Sequence, residues 1–464
     1  MSRLSWSERL AIVVLLVAAA TMWQGYDVHV FRNWVIASLE LGLARIYLAP
    51  LLLGWSYRVV YPPLAPAIFV ASYLASYHLY QTLQYISSVN SMAALIVQQY
   101  ADLIIRIIVK APLIVALMAL WLMIRRRYGR RAGILLLLGP PTLAVIGPYN
   151  FDIFMGVLLF LAVYMAYEKR SILSGASAAL SALFKQSAVL ALPHLVSYYA
   201  LRNGARSAIK WLVGLIVTSI IVLMPFILYS HIGSMINCIA GFHASRLPQG
   251  PSIWSLTLLL TGYNIAYSLT VSKAWLIIFI TIYALTLAPI VIERSRLVRI
   301  EYVVALSLLA YLVAGKVINP AYLFWAYPFI ICIAFERRDQ KLLKTYLVAS
   351  LIPLLFFSLY YLSVIAAHSQ LFIEEEVRWY PYTKALQLIR ESLTPPLAYA
   401  TIRLIELKPI SIVLTVVNKY WVIVGSLLSI LYTILISYCF IRVYKLGFSK
   451  PANSNTLKYV SPIV

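Results

Sequence analysis

Charge is scarce in this chain, and negative charge scarcer still. Of 464 residues only 11% are charged, and Asp and Glu together number 15 against 38 Lys and Arg. Soluble domains carry about 25% charged residues, so an ordinary soluble fold is excluded. The three cysteines, Cys238, Cys332 and Cys439, lie far apart with no paired spacing. That argues against a disulfide framework and against a metal site. Short segments of alternating hydrophobicity are missing, and with them the pattern of a transmembrane β-barrel. What is present is apolar: 62% of the residues are hydrophobic and the mean hydropathy is +0.87. Runs near the ~20 residues that cross a bilayer recur along the whole length. The expected fold is an all-α polytopic membrane protein.

The net charge of +23 invites a nucleic-acid reading, but the placement of the charge opposes it. Most Lys and Arg fall in short clusters between apolar runs, such as Arg125-Arg126-Arg127, Lys169-Arg170 and Arg337-Arg338. That is the positive-inside pattern that orients membrane proteins. The first apolar run, Leu10 to about Met22, has no small-residue cleavage site after it and reads as a retained span. With the N-terminus and the Arg125 cluster both inside, an even number of spans separates them. The first run and the run from Asp102 to Ile124 already supply two. The segment from Tyr61 to about Ile86, with Pro62, Pro63 and Pro66 and many tyrosines, is therefore expected to lie in the outer interface or to enter and return. Residues 24–101 become one long outer loop containing interfacial helices. Further spans are expected near 132–148, 151–167, 171–201 (two short helices), 211–230, 274–292, 301–317, 321–335, 344–364 and 418–442. The total is about twelve, with both ends inside. Outer loops then cover about 231–273 and 365–417, the second holding Glu374-Glu375-Glu376 and Arg378-Trp379-Tyr380-Pro381.

Four short motifs carry chemistry. Asp27, Arg32 and Trp34 stand in the spacing Asp-x-x-x-x-Arg-x-Trp, and Tyr61-Pro62-Pro63-Leu64 follows on the same outer loop. Gly147-Pro148-Tyr149-Asn150 lies at a span's outer end, and Phe184-Lys185-Gln186 follows a Gly/Ala-rich span. In this order they resemble GT-C glycosyltransferases, most closely the dolichyl-phosphate-glucose-dependent glucosyltransferases that extend the lipid-linked N-glycan precursor. The resemblance covers about 20–335, which marks 1–335 as the catalytic transmembrane module and 336–464 as a C-terminal transmembrane region. It implies an inverting hexosyltransferase that uses a polyprenyl- or dolichyl-phosphate sugar on the extracytoplasmic face, with Asp27 as general base and neither cofactor nor metal. One departure is clear: where the family has Val-His-Glu-Lys, this chain has Val317-Ile318-Asn319-Pro320. The resemblance therefore marks the reaction class rather than the sugar.

The chemistry agrees independently. A sugar leaving a lipid phosphate departs from a stable anion, so the weak partner is the acceptor hydroxyl, and one carboxylate suffices as base. Glycoside hydrolysis would usually need two carboxylates about 5–10 Å apart. The phosphate calls for cations, and the candidates are Arg246, Lys185, Arg32, Arg106, Lys110 and Lys316. Tyr61, Trp34, Tyr149, Asn150 and Asn319 complete the expected substrate contacts.

Each residue also has a plainer reading. Asp27 and Asp152 suit helix caps. Arg32 and Trp34 suit interfacial anchors, and Arg106 and Lys110 suit snorkelling cations. His29, His78 and His243 suit ordinary interfacial polar residues, and Glu374–Glu376 a solvated face. The expected partners are the lipid-phosphate sugar, a glycolipid, lipid-linked oligosaccharide or protein acceptor, and the bilayer, with no nucleic acid. A cell membrane is expected rather than the endoplasmic reticulum, because the loops are short and no retention signal is seen. The rival from another class is a multi-span lipid or solute transporter or flippase, against which no mirrored second half is visible.

Overall fold

The computed structural model describes residues 4–22, 25–89, 91–261, 274–292, 299–371 and 393–448. Among these every regular element is helical, and extended pairing is limited to isolated bridges, Met22 with Leu393 and Gln249 with Val317. Four helices are long and apolar enough to cross a bilayer: Tyr100–Tyr128, Ala205–Ser230, Gln340–Val364 and Trp421–Gly447. The membrane character read from composition is thus present, and among the described residues shorter apolar helices accompany these four. The run at 132–148 is divided into Arg130–Leu138 and Pro140–Ile146, that at 151–167 is the single helix Asp152–Tyr167, and 171–201 holds two short α-helices as expected, Ser171–Phe184 and Leu192–Tyr198. Those at 301–317 and 321–335 give Ile300–Ala314 and Leu323–Arg337, each 15 residues long. A 16-residue helix rises about 24 Å, short of a ~30 Å hydrocarbon core. The breaks have local causes, such as Gly139 before Pro140-Pro141 and extended backbone at Lys185.

The long first loop is built of helices. Residues 61–86 form most of a single helix, Leu64–Val89, packed against Ser91–Tyr128. It falls outside the set apolar enough to span. Upstream of it Val30–Leu41 and Leu43–Leu52 meet at 113°, the shape of a broken span or a re-entrant loop. The bend is at Gly42, whose φ of 80° is one that glycine adopts without strain.

Parity can be checked by contact. Arg125 is ion-paired with Glu8, so the start of the first helix and the end of the long helix lie at one end of the bundle. At the other end, buried Lys110 donates to the carbonyls of Ala19 (2.7 Å), Met22 (2.5 Å) and Gly147 (2.5 Å). Thr394 N donates to Thr21 O at 3.2 Å, which puts Thr394 at the same end. Residues 372–392, including Glu374–Glu376 and Arg378–Pro381, lie outside the described residues. Helices Ile300–Ala314 and Leu323–Arg337 form the centre, almost wholly buried. The helices Gln340–Leu371 and Trp421–Phe448 pack on them, so the C-terminal part shares the core of the first 335 residues.

Helices Ser171–Phe184 and Ala205–Ser230 touch backbone to backbone. A Cβ at Gly175 would stand 2.0 Å from Trp211 O, and one at Gly214 2.1 Å from Ile172 O. Small residues permit such close crossings, which membrane helices use in place of a hydrophobic driving force. Gly214→Val is expected to destabilise the protein by about 1–3 kcal/mol through overpacking, read as a lowered melting temperature in detergent. An unchanged melting temperature would show that this crossing is not needed.

Candidate functional site

Four segments converge beside the end of the bundle held by Lys110. After Gly147 the chain turns through Tyr149, held at φ 55°, and Asn150 Oδ1 accepts from Asp152 N at 3.1 Å. This cap starts the helix Asp152–Tyr167 and points its first carboxylate inward, where it is fully buried. Lys185 arrives from the end of the Gly/Ala-rich helix, and Nζ donates to Asp152 Oδ2 at 2.9 Å. Trp325 Nε1 donates to the other oxygen, so the acid is satisfied from two sides. The Lys185 ammonium also lies over the rings of Tyr61 (4.9 Å) and Tyr322 (5.2 Å). Both are favourable cation–π placements.

A second cation stands on the far side of Tyr322. Arg246 Nη1 donates to the Tyr322 hydroxyl at 3.4 Å, and its other nitrogen to Gln249 Oε1. Tyr322 stacks on Trp325 with ring centres 4.3 Å apart, so the two cations share one aromatic wall. Gln249 bridges by backbone to Lys316 O and Ile318 N, both at 2.9 Å. Lys316 Nζ in turn donates to Ala244 O at 2.9 Å. Asn319 is the N-cap of the short turn Pro320–Tyr322, accepting from Ala321 N at 3.0 Å, and so aims Tyr322.

His243 links the cluster to a groove. Its Nε2 pairs with Gln186 Nε2 as placed and lies 3.3 Å from Val60 O. Gln186 also lines an apolar cavity of about 290 Å³, together with Pro62, Pro63, Leu183, Leu223 and Ile239. Burial first, then the charges of Lys185 and Arg246, push His243 down to about 4. It is therefore neutral near pH 7. Lys185, Arg246 and Lys316 face a single described counter-charge within the cluster, Asp152, so the site carries excess positive charge suited to an anion.

The expected residues separate into groups. Lys185, Arg246, Tyr61 and Lys316 come together, and Asn319 supports them from the next turn. Tyr149 and Asn150 shape the Asp152 turn, Tyr149 inside an aromatic cluster with Phe31, Phe69 and Phe151. Trp34 is buried in the same cluster and donates Nε1 to Arg58 O at 3.2 Å, so it braces a turn rather than anchoring at the interface. Arg32 is exposed, 5.9 Å from the Tyr73 ring, apart from the cations. Lys110 is bound to three carbonyls as described above, and Arg106 pairs with Asp102 at 2.9 Å, so neither belongs to the cation cluster. Asp27 lies in the helix Gly25–Leu41, one turn before Phe31 and two before Trp34. Its side chain lies outside the described residues.

Asp152, read from sequence as a cap, is the acid at the centre, and Trp325 was not singled out at all. An ionisable residue near a span was the available signal for Asp152. No comparable signal existed for a tryptophan. Among the described residues no group of three or more His, Cys, Asp or Glu could hold a metal ion. No known family model matches the chain. No curated protein matches it either.

Two outcomes follow from this geometry. Asp152→Asn leaves the Lys185 ammonium buried without its counter-charge, and about 3–5 kcal/mol of stability is expected to be lost. In the double variant Asp152→Leu with Lys185→Met most of it returns, as measured by chemical denaturation in detergent. The second outcome concerns His243. Its folded value lies below the ordinary 6.5, so the unfolded chain takes up the proton first. Stability is then full above about pH 6.5 and falls as the pH drops toward 4. His243→Gln is expected to flatten that part of the melting-temperature profile. An identical profile in the variant would remove His243 as the cause.

Proposed function

We propose that this protein is an integral membrane glycosyltransferase of the GT-C type. It transfers a hexose from a polyprenyl- or dolichyl-phosphate sugar to a glycolipid, lipid-linked oligosaccharide or protein at the extracytoplasmic face of a cell membrane. The observation that carries this reading is the cation cluster of Lys185, Arg246 and Lys316 placed beside an apolar groove. A lipid phosphate has both parts, an apolar chain for the groove and an anion for the cations. The twelve-span GT-C arrangement, with residues 1–335 as the catalytic module, belongs to the same proposal.

In this mechanism the acceptor hydroxyl attacks the anomeric carbon on the side opposite the phosphate, which inverts that centre. Asp27 takes the hydroxyl proton. The C–O bond to phosphate breaks with its electron pair on the phosphate, where Arg246 and Lys185 stabilise the charge. The position of residue 27, on the helix that carries Phe31 and Trp34 to Tyr61, supports this role. Tyr61 in turn lies against Lys185.

The buried Asp152–Lys185 pair also suits a lipid transporter, since ion pairs among spans commonly mark transport pathways. Product formation separates the two. Asp27→Asn is expected to reduce transfer about a hundredfold to ten-thousandfold, the usual worth of a general base, with unchanged melting temperature. The check is mass spectrometry of lipid extract incubated with a panel of polyprenyl-phosphate sugars. Wild-type transfer by the variant would overturn the role of Asp27, and lipid flux without any covalent product would favour the transporter.

A further inference from the structure

Arg58 is a second guanidinium near the cation cluster, and the function proposed above gives it no task. One of its nitrogens donates to Asn237 O at 2.8 Å, and the guanidinium also faces the Cys238 thiol. Nε is buried with no hydrogen-bond partner among the described residues, and no described carboxylate pairs with the group. The Trp55 ring lies 4.3 Å from it and is itself 67% exposed. Phe242 lies against both arginines: Arg58 is 5.3 Å from its ring centre and Arg246 is 5.7 Å. The guanidiniums are therefore at most 11 Å apart, the sum of those distances. Two unneutralised cations this close repel each other, and an anion at each relieves the repulsion.

We propose that Arg58 and Trp55 form a second anion site, next to the Lys185–Arg246 site across their shared neighbour Phe242, and that it holds the phosphate of a lipid acceptor. The acceptor assignment rests on the transferase reading; the existence of a second phosphate site does not. A lone interfacial anchor would need only exposed groups. Here one guanidinium nitrogen is buried and unsatisfied, and the neighbouring arginine is oriented by Tyr322 and Gln249. Trp55 offers an exposed aromatic face beside the cation, against which the apolar face of a sugar can lie. The shared chemistry is a phosphate ester on a lipid, whether the acceptor or a bulk phospholipid supplies it.

The test uses the full chain in neutral detergent, with farnesyl phosphate as probe and native mass spectrometry as readout. Wild type is expected to bind two equivalents and Arg58→Gln one, with an unchanged melting temperature. Trp55→Phe, which keeps the charge, should retain the second equivalent with weaker affinity. In the transfer assay Arg58→Gln should raise the acceptor KM about tenfold, the worth of one hydrogen bond to a charged group, and leave the donor KM unchanged. A single equivalent on wild type, or two on Arg58→Gln, overturns the second site whether or not transfer occurs. If dioleoylphosphatidylglycerol displaces the Arg58-dependent equivalent as readily as farnesyl phosphate does, the site is a headgroup anchor and the acceptor assignment falls. If transfer is absent while two equivalents bind, the transferase reading fails and the second site stands.

Discussion

An ammonium and a carboxylate in apolar surroundings must find each other, and at Lys185 and Asp152 this requirement decides where four segments meet. The pair is buried, at 2.9 Å, and Trp325 closes the remaining side of the carboxylate. To deliver the lysine, the Gly/Ala-rich helix must end at residue 184 and its next residue must turn extended. To deliver the aspartate, the chain must reverse through Tyr149 and cap on Asn150. The indole must come from a third helix, which brings Tyr322 with it one turn earlier. The remaining cations are arranged around that aromatic wall. Such a pair is not by itself a source of stability, since desolvation offsets much of its attraction. Its effect is on position.

The same pair changes what Lys185 can do. The aspartate offsets part of the charge of Lys185, so an incoming phosphate would draw on Arg246 and Lys316 together with the lysine. Arg246 is bound only to neutral groups, the Tyr322 hydroxyl and the Gln249 amide. It keeps its full charge and its planar donors for a ligand. Lys185 also lies over the rings of Tyr61 and Tyr322 and so ties them to the same site. His243, neutral and tied to Gln186, marks the boundary between the cations and the apolar groove. A substrate with a charged head and an apolar chain would cross that boundary.

Much of this arrangement was legible along the chain. Membrane character followed from composition, because a mean hydropathy of +0.87 leaves no soluble alternative. The common end shared by the N-terminus and Arg125 followed from the charge clusters, and the Glu8–Arg125 contact agrees with it. Lys185, Arg246, Tyr61 and Lys316 were singled out as substrate contacts, and they do lie together. Elsewhere the local structure differs from what a hydropathy window suggests. Apolar runs at 132–148 and 301–317 looked like spans because hydropathy averages over a window. A Gly-Pro step at 139–140 and extended backbone after Ala314 end helices without changing that average. Trp34 and Lys110 looked like ligands because their type and place suited the chemistry, yet their hydrogen bonds go to backbone carbonyls.

What the sequence by itself determined is the solvent, the helical class and the set of cations near the ends of apolar runs. Hydrophobicity and charge are additive along a chain, so they can be read from it directly. Only the tertiary structure decided which of those cations share a site, because that depends on pairings between residues far apart. Asp152 and Lys185 are separated by 33 positions, and Asp152 and Trp325 by 173. Burial then forces each polar group to find a partner, and the partner's place in the fold, not its place in the sequence, sets its role.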